Sequence, residues 1–94
     1  MVRLTNERWR HISEHPEMTG MRSAVEDTLR LPEVVVQSLG DARARLYYRY
    51  HQQTIVSSKY LCVVVVQTPD DAFVVTAYVT DQIKKGDVLW RKGL

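Results

Sequence analysis

The spacing of hydrophobic positions changes partway along the chain, from a helical period before Pro32 to a strand period after it. Met21, Ala24, Val25 and Thr28 fall at i, i+3, i+4 and i+7, the stripe of a helix that packs on one side. Thr19 is placed to cap that helix, Leu29 lies at its margin, and Pro32 closes it. An earlier helix is predicted from Thr5 or Asn6 to about His15, stopped by Pro16, with Trp9 and Ile12 facing inward. Beyond Pro32 the pattern predicts four strands, over 34–39, 44–51, 59–67 and 72–80. Turns are expected at Gly40-Asp41, at 52–58 and at 68–71.

Short connections make successive strands antiparallel, and helices gathered ahead of a sheet define an α+β fold. The expected architecture is a single domain, 1–94, with two N-terminal helices packed on one face of a four-stranded antiparallel sheet. Val63-Val64-Val65-Val66 is apolar in both strand phases, so its strand is expected to be central and covered on both sides. In the last strand Phe73, Val75, Ala77 and Val79 are expected to face the core, leaving Thr76, Tyr78 and Thr80 on a polar face. An uncovered outer strand over 34–39 could pair across a two-fold axis and make a homodimer.

Composition adds limits. At 94 residues, 45% hydrophobic and 26% charged, the chain can bury one core but cannot form a two-lobed enzyme with a cleft. A net charge of +2 permits nucleic-acid binding without requiring it. The single cysteine, Cys62, sits inside an apolar run and reads as a buried hydrophobe in a reducing compartment. The amino-terminal residues lack the apolar core of a signal peptide, and no stretch is long and apolar enough to span a membrane. A cytoplasmic, membrane-free protein is the expectation. No glycine motif that cradles a cofactor is present, so no cofactor is expected.

Arg43, Arg45, Tyr47, Arg49 and His51 alternate with Ala44, Leu46, Tyr48 and Tyr50. On a strand these sets occupy opposite faces, so the apolar set is expected to pack and the cationic set to meet an anion. Arg45, Tyr47 and Arg49 span about 13 Å, enough to follow phosphates along a nucleic-acid strand. Guanidinium groups grip phosphate in a forked manner and stabilise the charge of a pentacovalent transition state.

Proton transfer would have to come from elsewhere. His11 and His15 lie four apart on the first helix, with Arg8 beside His15 as a further phosphate contact. Lys59, at the mouth of the apolar strand, could neutralise a phosphate. Thr76 and Tyr78 could position one, and Tyr47 or Tyr78 could stack on a base. The same two histidines could bind zinc with His51 as a third ligand, but the glutamate of a metalloprotease helix is missing and metal is not preferred.

Four segments taken together carry a resemblance: Glu7-Arg8-Trp9 with His11-Ile12 and His15-Pro16-Glu17, Arg45 to Tyr50, Lys59 to Val65, and Phe73 to Thr80. In their order they resemble the phage-associated Barnase-EndoU-colicin-RelE-like nuclease families, over most of the chain. The resemblance implies a metal-independent endoribonuclease that leaves a 2′,3′-cyclic phosphate, found as a toxin or in phage and mobile elements. It implies a helix histidine (His15 or His11), a strand arginine (Arg49), a lysine (Lys59) and a last-strand hydroxyl (Thr76 or Tyr78) as catalytic residues. Arg45, Tyr47 and Arg8 would bind RNA, and an antitoxin or immunity protein would be a possible partner. The rival expectation is a non-catalytic module of the same fold that binds RNA or a partner protein.

Overall fold

The computed structural model describes residues 2–54 and 57–93. It is an α+β structure of two helices and a five-stranded antiparallel sheet, one strand more than the hydrophobic pattern predicts. Helix α1 covers Asn6–Ile12, a single 3-10 turn covers Pro16–Met18, and α2 covers Arg22–Arg30. The strands are β1 (Val34–Gln37), β2 (Ala44–Thr54), β3 (Ser57–Gln67), β4 (Ala72–Thr80) and β5 (Asp87–Arg91), in the spatial order β4-β3-β2-β1-β5. The turn expected over 52–58 centres on residues outside those described.

Local chemistry accounts for the helices. The Thr5 hydroxyl accepts the Arg8 N–H at 3.0 Å, satisfying one of the donors that a first turn leaves open. Helix α1 ends at Ile12, earlier than the expected His15, and His15 instead caps the 3-10 turn that Pro16 begins. Thr19 does not cap α2. Met21 takes that position with no side-chain bond, because Gly20, at φ 75°, first turns the chain into the left-handed region. The stripe over Val25 and Thr28 is fully buried, as the spacing predicts, with Met21, Ala24 and Leu29 packed beside it.

Pairing among the five strands is antiparallel, with Val36 opposite Leu46, Leu46 opposite Val64 and Val64 opposite Thr76. Strand β3 is central and buried from both sides, as its double apolar phase requires. Leu61, Val63 and Val65 meet Ile12, Met18 and Val25 on the helix face. Cys62 meets Val34, Val36, Leu46 and Tyr48 on the other. A bulge between Val64 and Val65 makes Val75 the extra residue of β4, so Val74, rather than the expected Phe73 and Val75, joins Ala77 in the helix-face core.

The second apolar face has no helix over it. Residues 81–86 leave β4 at one edge and return to the sheet beside β1, crossing that face as a strap. The Lys84 N–H donates to the Tyr48 hydroxyl at 3.1 Å, and the Lys84 ammonium stands 5.9 Å from the centre of the Tyr78 ring. Burial pushes the Tyr48 phenol up to about 12 and raises Cys62 and Tyr78 as well, so all three are neutral at physiological pH.

Because β5 pairs with β1, the 34–39 segment is interior, and the homodimer edge expected there does not exist. The free edges are β4 and β5. Residues 2–4 lie along part of β4, with the Arg3 N–H on the Ala72 carbonyl and the Val74 N–H on the Arg3 carbonyl, both at 2.9 Å. Strand β5 carries a bulge opposite Val35 and Val36 and charges at both ends, features that discourage edge-to-edge pairing.

The strap depends on Gly86. A Cβ there would stand 2.3 Å from the Gln37 carbonyl oxygen and 2.6 Å from Val36 Cγ1. Gly86→Ala is expected to lower the unfolding free energy by about 2 kcal/mol, an overpacking cost read from urea midpoints at constant m. Wild-type stability in that variant would mean that the strap is free to shift.

Candidate nucleic-acid groove

The arginine row of β2 lies on the helix face, opposite to the expected arrangement in which the apolar row alone would pack. Tyr47 packs against the helix-face core, while Leu46 and Tyr48 face the strap. Both faces of β2 are therefore used for packing, and the cations line the margin of the helix layer. Helix α1 packs on β4 and α2 on β3 and β2, so the β1 and β5 end of that face extends beyond the helices.

At this end the chain builds a groove. Arg30, Leu31 and Pro32 from the end of α2, Arg49 from β2, and Trp90 and Lys92 from the carboxyl-terminal segment line a mainly apolar cavity of about 410 Å³. Trp90 is 49% exposed and Leu31 58%. Arg49 donates Nη1–H to the Leu31 carbonyl at 2.7 Å, so the end of α2 fixes its direction. Arg30 donates to Asp27 at 2.6 Å one turn earlier. A second cavity of about 490 Å³ shares Arg49 as a wall and is bounded by Asp27, Tyr50, His51 and Gln52.

The other candidate residues are dispersed. Arg45 is half-buried and donates to the Gln67 side chain at 2.9 Å, away from this groove. Arg43, exposed before β2 begins, pairs with Asp41. Lys59 lies beside His51 on the helix face but is tied to Asp81. His11 and Arg8 share a separate recess along α1, where His11 stands 3.8 Å from Glu14. His15 is exposed after α1, the helix packed on β4. Thr76 and Tyr78 pair with Val64 and Cys62 on the strap face, the side opposite to Arg49. The constellation of a helix histidine, Arg49 and a last-strand hydroxyl is not brought onto one surface.

Three charged or aromatic residues of the groove escape sequence reading: Arg30, Trp90 and Lys92. The signal available was Val88-Leu89-Trp90 held between Asp87 and Arg91, an apolar run bounded by charge that is short enough to pass for a tail. His51, at the outer end of the row, is half-buried and stands 3.4 Å from the Thr28 hydroxyl. Burial lowers its pKa from the usual value, and Arg49 lowers it further, against smaller opposing effects of Asp27 and Glu33.

Among the described residues no three histidine, cysteine or acidic side chains gather as a metal site. Among the described residues no helix is long and apolar enough to cross a membrane. Comparison with family models, curated proteins and solved structures gives no match for this chain.

The lowered value of His51 sets the sign of a pH effect. The unfolded chain titrates this imidazole near 6.5 and the folded chain titrates it lower, so the unfolded state binds more protons between those values. Stability is expected to decline as pH falls from about 7 through the folded value, and His51→Gln to flatten that part of the curve. Urea midpoints at closely spaced pH values check this; an unchanged slope in the variant would contradict it.

Proposed function

We propose that this protein binds single-stranded RNA in the groove between the end of α2 and β5. The observation that carries the reading is the meeting of an exposed indole, Trp90, with three cations, Arg30, Arg49 and Lys92, around one apolar cavity. An unstacked base has a π-face for Trp90 to cover, and stacking of this kind contributes about 1–3 kcal/mol per base. A duplex hides those faces, which favours a single strand as the ligand. The guanidinium of Arg49, held by the Leu31 carbonyl, then serves a neighbouring phosphate from a fixed position. RNA is favoured over DNA by the resemblance of the element order to the ribonuclease families named above.

Endonucleolytic cleavage by the helix histidines draws less support, since His11 and His15 belong to the α1 side of the molecule. Binding is the function that the arrangement favours.

Fluorescence anisotropy with a labelled single-stranded RNA tests the reading. Arg49→Ala and Trp90→Ala are each expected to weaken binding about tenfold or more, and Arg49→Ala to reduce the slope of log K against log salt by about 0.7. His15→Ala, away from the groove, is expected to bind as wild type. Wild-type affinity in both groove variants would overturn the proposal.

A further inference from the structure

We infer that the corner of the strap face between β1, β3 and the strap docks an acidic segment of a partner protein, one with an aliphatic or aromatic side chain beside its carboxylates. The inference does not rest on the RNA reading, because it concerns the face of the sheet opposite to Arg49. The corner holds a cavity of about 470 Å³ lined by Glu33, Val34, Tyr60, Ile83, Arg91 and Lys92. Val34 pairs with both Tyr48 and Arg91 and belongs to the strap-face core, which places Arg91 on this face as well.

The walls are apolar and open to solvent on one side. Val34 is buried at the base, Tyr60 is half-buried, and Ile83 keeps 37% of its surface exposed. Tyr50 meets Tyr60 edge-on with ring centres 5.3 Å apart. The Tyr60 ring is thereby held in place, so a side chain entering beside Ile83 meets a preformed surface.

The rim is cationic. From 82 to 92 the chain carries Lys84, Lys85, Arg91 and Lys92 against Asp87 alone, so this segment holds the whole positive excess of a chain whose net charge is +2. Among the described residues no carboxylate pairs with Arg91 or Lys92. The carboxylate inside the cavity is fixed by other contacts. Glu33 Oε2 accepts the Tyr50 N–H at 3.1 Å, while the Glu33 backbone donates to the Tyr48 carbonyl at 2.8 Å and accepts the Lys92 N–H at 2.9 Å. Glu33 Oε1 has no hydrogen-bond partner among the described residues and is left to accept.

These groups select among anions. A phosphate group suits Arg91 and Lys92 but meets Glu33 Oε1 as a like charge. A peptide supplies both kinds of partner: carboxylates for the two cations and a backbone N–H for Glu33, with an apolar side chain for the Tyr60 and Ile83 walls. A second copy of this chain meeting the corner across a two-fold axis sets Arg91 and Lys92 against their own counterparts, so the occupant is a different protein.

Fluorescence anisotropy of the full chain with a short labelled peptide, one leucine or phenylalanine flanked by glutamates, tests the inference. Comparison probes are the same peptide with lysine for glutamate, the same peptide with serine for the apolar residue, and a labelled single-stranded RNA. The acidic, apolar peptide is expected to bind with an affinity that falls as salt rises, and each altered peptide to bind about tenfold more weakly. Arg91→Glu and Ile83→Asp, both at exposed positions, are each expected to weaken binding about tenfold or more. Arg10→Glu, which reverses an exposed charge on α1, is expected to bind as wild type. Lys92 is left unaltered because it also lines the Trp90 groove, which keeps a failure here separate from a failure of the RNA reading. Absence of peptide binding overturns the inference, as do wild-type binding by both corner variants and equal weakening by Arg10→Glu. RNA binding that Arg91→Glu and Ile83→Asp abolish assigns the corner to nucleic acid and overturns it as well.

Discussion

Burial of β3 from both sides is the constraint on which the rest of the structure depends. Leu61, Cys62, Val63 and Val65 are fully buried, and each large apolar side chain removed from water contributes about 1.5–3 kcal/mol, so neither face of this strand can be left open. The helices cover one face with Ile12, Met18 and Val25. With no third helix in the chain order, the other face is closed by Tyr48, Tyr78 and the strap of residues 81–86. To cross that face the chain must travel from the β4 edge to the β1 edge, and there it adds β5. Trp90 comes beside Arg49 and the end of α2 as a consequence of covering Cys62 and Tyr48.

This dependence explains what was legible in the sequence. Val63 to Val66, apolar in both phases, disclosed a central strand, and Val25 and Thr28 disclosed the buried stripe of α2. Strands β2 to β4 and the antiparallel order followed from length and turn chemistry. Strand β5 did not, because every residue in it is exposed and a bulge breaks its period of two, so it lacks the alternation that marks a half-buried strand. Missing β5 left β1 as a false edge and hid the groove.

The candidate site was legible in part. Alternation correctly divided β2 into a cationic and an apolar row, but it could not say which row the helices would cover. Tyr47, lying between Arg45 and Arg49, decides the matter by packing on the helix-face core. The arginines are thereby brought to the rim of a helix, where Arg49 gains the Leu31 carbonyl and the cavity beyond it. Thr76 and Tyr78 follow the opposite phase of β4, so residues that seemed to converge along the sequence lie on two sides of the sheet.

The central claim is that single-stranded RNA occupies the groove where Trp90, Arg49 and the end of α2 meet. The most direct measurement is an NMR titration of isotopically labelled protein with an RNA oligonucleotide. The account predicts that the Trp90 indole N–H, the Arg49 side-chain N–H and the Leu31 amide shift together, while Thr76, Tyr78 and His15 stay in place. Shifts confined to the strap face or to the α1 side, with Trp90 unmoved, would contradict it.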